Sequence, residues 1–136
     1  MESPTAGTAA RSRPTLWTAR GLYALATLFM LFDAAGKIFI APGVADAFHR
    51  QGMPLSLAPV IAALLLVLTA LYVIPRTSIF GAVLLTGYFG GACACNLRAG
   101  FSAFETLFPV IFGVIVWIPI YLLNERVRSL IPIQRV

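Results

Sequence analysis

The chain has 136 residues, of which 60% are hydrophobic and 11% charged, with a mean hydropathy of +0.90. A soluble domain of this size cannot bury so much apolar surface, so a soluble globular enzyme, a disordered tail protein and a DNA-binding module are excluded. The net charge of +5 does not mark a nucleic-acid binder, because the basic residues sit at the ends of apolar runs and form no stripe.

Four runs are long enough to cross a bilayer, which takes about 20 mostly apolar residues. The first runs from about Leu16 or Gly21 to Ile40, and the second from about Leu55 to Ile74. The third runs from about Ser78 to Leu97, and the fourth from about Leu107 to Leu123. No sustained two-residue alternation points to strands. The predicted fold is all-α, an integral membrane four-helix transmembrane bundle spanning residues 16–132.

Residues 1–15 are small, polar and proline-containing and read as a disordered cytoplasmic tail. Residues 133–136 read as a short cytoplasmic C-terminus. A signal peptide is the competing reading of the N-terminus, but the apolar run continues past Phe32, and Asp33-Ala34-Ala35-Gly36-Lys37 is a poor cleavage site. Four spans put both ends on one side. Arg11, Arg13, Arg20, Arg76, Arg126, Arg128 and Arg135 fall on that side, against Lys37, Arg50 and Arg98 on the other. The excess predicts cytoplasmic termini.

Between the first two spans, Val44, Ala47, Phe48 and Met53 would form the apolar face of a short interfacial helix, with Asp46, His49 and Arg50 facing water or headgroups. The short Pro75–Ser78 connection makes the second and third spans antiparallel neighbours, with Thr77 or Ser78 as the predicted cap. Pro59 and Pro109 fall near predicted helix starts, where proline is tolerated. Pro119 should kink the fourth span and free the Ile115 carbonyl. Trp117 and Tyr121 suit an interfacial aromatic belt.

The segment from Ile74 through Gly100, with its Pro75-Arg76-Thr77, Leu84-Leu85-Thr86-Gly87-Tyr88 and Gly90-Gly91-Ala92 motifs, closely resembles the DoxX-like family of small bacterial membrane proteins. Gly36-Lys37, Gly52-Met53-Pro54, Phe108-Pro109-Val110, Gly113 and Trp117 extend the likeness over about Gly21 to Pro132. The resemblance implies a four-helix protein of the bacterial inner membrane, in a wider family associated with membrane redox chemistry. That family includes the small subunit of an archaeal thiosulfate:quinone oxidoreductase and a mycobacterial complex that handles oxidative stress. Where many relatives carry a histidine at the end of the third helix, this chain has Asn96. Where many carry an acid early in the second, it has Ala58-Pro59-Val60. Any proton or metal chemistry of those groups is lost here.

Asp33 and Lys37 are the most informative pair. Charges inside a span are costly, and a spacing of four puts both on one helix face. They read either as the wall of a polar pocket or as a lysine snorkelling to the headgroups with an acid to balance it. Asn96, Arg98 and Glu105 belong to the same membrane end and complete a candidate polar chamber. Arg98 is its natural anion ligand; the alternative is an interfacial arginine paired with Glu105, which the dipole of the fourth helix also favours.

Cys93 and Cys95 lie about 200° apart around a helix, cannot easily join in a disulfide, and read as small core residues. No ligand spacing supports a metal site, and no phosphate loop, nucleophilic triad or dinucleotide fingerprint is present. Gly87, Gly91 and Cys95 form one small-residue stripe, and Gly90 with Ala94 another, which reads as the most tightly packed helix. The same missing side chains would leave room for a flat quinone ring, or a lipid, against Tyr88, Phe89 or Trp117.

The leading functional expectation is a membrane subunit or anchor of a quinone-linked redox system, acting on sulfur, thiol or oxidative-stress chemistry and serving a soluble oxidoreductase. Lipid bilayer and a homo-oligomer are the other expected partners, with no nucleic acid. The alternatives are a small-solute carrier or channel, which would need oligomers because four helices enclose little space, and a non-catalytic lipid-binding protein.

Overall fold

The computed structural model describes residues 12–131. Four of its helices are long and apolar enough to cross a membrane. They are α1 (Arg13–Ile38), α3 (Ala58–Val73, extended by a 3-10 turn at Leu55–Leu57), α4 (Ser78–Arg98) and α5 (Ala103–Leu123). Two short helices join them: α2 (Pro42–Gln51) between α1 and the 3-10 turn, and α6 (Glu125–Leu130) after α5. No strand occurs among the described residues.

Most of the expected tail, residues 1–11, lies outside the described residues, as do residues 133–136. Arg13, Pro14 and Thr15 are not tail but the first turn of α1, where proline meets no backbone donor requirement. At 26 residues, α1 is about 39 Å long and overreaches the hydrocarbon core. The connection after α1 forms the expected short helix. Phe48 is buried, Val44 and Ala47 are half-buried, and Asp46, His49 and Arg50 are exposed.

The spanning helices form a ring in which α1 packs on α3 and α5, and α4 packs on the same two. Each turns a stripe of small or apolar residues inward. Ala19, Ala26, Met30 and Ala34 do this on α1, and Ala62, Leu65, Thr69 and Tyr72 on α3. The outward faces stay apolar, with Phe32 78% exposed, as helices bathed in lipid require.

Tyr72 anchors the packed half of the bundle. It is fully buried, donates its hydroxyl to the Val116 carbonyl at 3.0 Å, and stacks on Tyr23 with ring centroids 4.6 Å apart. The end of α3 explains much of what surrounds it. Its last carbonyls have no intrahelical donor, and Pro75 cannot supply one to Leu71. The Thr77 hydroxyl takes the Leu71 carbonyl at 2.8 Å, and the Tyr23 hydroxyl takes that of Tyr72. Ser78 donates to the Pro75 carbonyl. Thr77 and Ser78 therefore do not cap α4 with their side chains as expected. Both reach back to carbonyls at the α3 end, which lack donors.

The close helix approach is also here, not at the predicted stripe. A Cβ placed on Gly81 would lie 2.6 Å from Tyr72 Cα and 2.7 Å from the Leu71 carbonyl carbon. At Gly87, Gly90 and Gly91 it would meet nothing within 4 Å. The reading of these glycines as the tightest packing surface is corrected: they leave space.

Candidate functional site

The opposite half of the bundle is hollow. A cavity of about 720 Å³ lies between the C-terminal ends of α1 and α4 and the N-terminal ends of α3 and α5, with α2 across it. Its wall is open in places, with Phe104 70% and Leu64 51% exposed, so the four helices border the space without sealing it. A bundle with Gly91, Ala92 and Cys95 on one wall has side-chain volume missing where the helices would otherwise fill it.

One part of the wall is aromatic. Phe29 of α1 stacks on Phe112 of α5 with centroids 3.8 Å apart, and Phe108 lies 5.4 Å from Phe112. Phe89 joins them at 6.2 Å, with Tyr88 edge-on to Phe89. The stripe Phe104, Phe108 and Phe112, at spacings of four, puts three rings on one face of α5, and all three line the cavity.

The other part is polar. Lys37 donates to Asp33 at 2.5 Å, with the lysine side chain 14% and the aspartate 32% exposed. Gln51, Asn96 and Glu105 also line the cavity. Gln51 Nε2 donates to Asn96 Oδ1 at 2.7 Å, and Asn96 Nδ2 donates to the Glu105 carbonyl at 2.9 Å. That last bond has a local cause. The fourth span was expected to begin at Leu107, with Pro109 near its start and Glu105 before it. Helix α5 begins at Ala103 instead, because Ser102 and Glu105 form a capping box. Pro109 therefore lies inside the helix and leaves the Glu105 carbonyl without its N–H. Asn96 supplies the missing donor.

Of the candidate chamber residues, Asp33, Lys37, Asn96 and Glu105 meet at this cavity, while Arg98 does not line it. Arg98 is exposed and donates to the Gln51 carbonyl at 2.9 Å. The partner of Glu105 is Arg50, at 3.1 Å, not Arg98. The cation at the cavity is thus Lys37. Of the candidate quinone or lipid contacts, Tyr88 and Phe89 line the cavity and Trp117 does not. Trp117 donates its indole N–H to Thr86 Oγ1 at 2.8 Å and ties α5 to α4 elsewhere. Cys95 lines the cavity, Cys93 does not, and both are free thiols. No group of three or more metal-ligating side chains occurs among the described residues. Phe29, Phe108, Phe112 and Gln51 are not among the candidate site residues read from the sequence, although Phe108 belongs to the family-like Phe108-Pro109-Val110 motif. The spacing of the α5 phenylalanines was the available signal for two of them.

Residues 21–119 match the DoxX-like family. The chain belongs to the DoxX-like family. Neither the curated proteins nor the solved structures hold a match to it. The DoxX-like segment runs from the first turns of α1 to Pro119 and contains every residue lining the cavity.

The Asn96–Pro109 relation in this DoxX-like bundle predicts coupling. Asn96→Leu should lower the thermal midpoint in detergent, because the part-buried Glu105 carbonyl is left unpaired. In a Pro109→Ala background the new backbone N–H reaches Glu105, and the same change should cost less, by about 1 kcal/mol. Equal costs in the two backgrounds, measured by thermal unfolding, would refute the assignment.

Proposed function

We propose that this multi-pass DoxX-like membrane protein is the membrane subunit of a quinone-linked redox system, holding a membrane-dissolved quinone in its cavity and serving a soluble oxidoreductase. The observation that carries this reading is a cavity with an aromatic wall and one lysine beside it. Pockets that hold small ligands measure about 300–1,000 Å³, are mostly apolar and have few polar groups. The cavity, at about 720 Å³, fits that description. A quinone offers a flat ring for Phe29, Phe108 and Phe112 and carbonyl oxygens that accept. Lys37 has three N–H donors and gives one to Asp33. The arginines Arg13, Arg20, Arg76, Arg126 and Arg128 support cytoplasmic termini in the inner membrane. The cavity would then lie toward the outer leaflet.

The test is equilibrium binding of a short-chain quinone to the protein in nanodiscs. Saturable binding is expected, weakened about tenfold by Lys37→Met through loss of a charge-assisted hydrogen bond. Phe108→Leu should weaken it as well. Absence of saturable binding would reject the quinone reading. Phospholipid retained in the cavity and not displaced by quinone would favour the lipid-binding alternative. Purification from native membranes in gentle detergent tests the partner, since an anchor subunit should bring a stoichiometric oxidoreductase with it.

A further inference from the structure

We propose that α2 is a hinged lid over the cavity, held shut by a latch between Gln51 and Asn96. The lid concerns access to the cavity and takes its purpose from the quinone reading above, but its test uses no quinone.

Five residues of α2 line the cavity: Gly43, Val44, Ala47, Phe48 and Gln51. Their offsets of 0, 1, 4, 5 and 8 make one continuous helix face, so α2 lies along the cavity over its whole length. The opposite face carries Asp46, His49 and Arg50, all exposed. A helix that covers a hollow with its apolar face and shows charges on the other has the form of a cover.

Besides the buried Phe48, what holds it down is polar and sits at one end. Gln51 Nε2 donates to Asn96 Oδ1 at 2.7 Å, and Arg98 Nη2 donates to the Gln51 carbonyl at 2.9 Å. Arg50 donates to Glu105 at 3.1 Å, with its guanidinium carbon 3.7 Å from the Phe101 ring centroid. Only Phe48 of α2 is buried. The bonds of Arg98 and Arg50 are exposed and that of Gln51 is part-buried; each contributes little net stability, so this contact can open without unfolding the bundle.

Both ends of α2 have a backbone suited to hinging. Ile40, just before it, holds φ at 49°, a left-handed conformation that a β-branched residue rarely adopts. Gly52, just after it, holds φ at 67°, and a Cβ there would meet nothing within 4 Å. The closed position therefore holds Ile40 in a strained conformation that opening can relax, and a glycine supplies the second pivot. Asn96 joins the lid to the wall, since its amide also holds the Glu105 carbonyl left by Pro109.

Cys95 lines the cavity and serves as a reporter. With Cys93→Ala in place it is the only thiol. The rate of its modification by a membrane-impermeant maleimide, in phosphatidylcholine nanodiscs, measures water access to the cavity. Gln51→Leu breaks the latch from the lid side and leaves the Asn96–Glu105 bond intact; Asn96→Leu breaks it from the wall side. Both should speed modification about tenfold, the population shift expected from losing one hydrogen bond. Size-exclusion profiles matching the parent confirm that each variant is folded. Unchanged rates in both variants overturn the lid. So does acceleration by Asn96→Leu alone, which would place the opening in α5. A parent rate equal to that of a lone thiol from Asp46→Cys, on the outer face of α2, overturns it too. Acceleration in a protein that binds no quinone keeps the lid and removes the ligand. Quinone binding without acceleration does the reverse.

Discussion

Gly81→Val should abolish recovery of a monodisperse protein in detergent, and Gly81→Ala should lower its thermal midpoint clearly. An exposed glycine in a helix normally gains about 1 kcal/mol on becoming alanine. At Gly81 that gain is outweighed, because the added carbon would lie 2.6 Å from Tyr72 Cα and 2.7 Å from the Leu71 carbonyl carbon. Both are backbone atoms, so no rotamer change can make room and α3 and α4 must separate. Overpacking of this kind costs about 1–3 kcal/mol even where side chains can yield. Separation would also pull on the Thr77 and Tyr23 hydroxyls that close the end of α3. Gly87→Ala and Gly91→Ala are the controls. Nothing lies within 4 Å of either added carbon, so both should be neutral or stabilising. If all three alanine variants melt alike, the close approach at Gly81 is not what holds α3 against α4.

That contrast shows what the sequence could and could not reveal. The spans were legible because a lipid-facing helix must be apolar almost all round, a property of composition over 20 residues. A small-residue stripe marks where a neighbour can approach, not where one does. Gly87 and Gly91 belong to such a stripe and border space, while Gly81, beside the α3–α4 turn, carries the contact. Helical spacing carries further information. The rotation of about 200° that separates Cys93 from Cys95 also separates Asn96 from Arg98, so only one of those two can readily face the cavity. It likewise turns Thr86, the partner of Trp117, away from Tyr88. The apolar run of the fourth span begins only after Glu105, yet the Ser102-x-x-Glu105 box starts the helix before it. The aromatic wall was hidden for another reason. Phenylalanines in an apolar span do not stand out by composition, and the cavity they line needs four helices to define it. Gln51 is similar: only the fold brings its amide to Asn96, 45 positions away.

Tyr72→Ala should cost about 3–5 kcal/mol in stability, the range for deleting a large buried ring. Tyr72 is fully buried, stacks on Tyr23, and reaches across the bundle to the Val116 carbonyl. Hydrophobic transfer is a weak force between helices already in lipid, so the loss here is one of contact and hydrogen bonding. Tyr72→Phe separates the two. It keeps the ring and removes the hydroxyl, and should cost about 1 kcal/mol. Thermal unfolding in detergent would give both values. The same variants test whether the packed half and the hollow half act separately. Tyr72 does not line the cavity, and neither Tyr23 nor Val116 does. Tyr72→Phe should therefore leave the Cys95 modification rate and quinone affinity at their parent values while the melting temperature falls. Phe108→Leu should weaken quinone binding, because Phe108 lines the cavity. A Tyr72→Phe protein with altered Cys95 access would mean that packing around Tyr72 sets the shape of the cavity, and that the two halves are one mechanical unit.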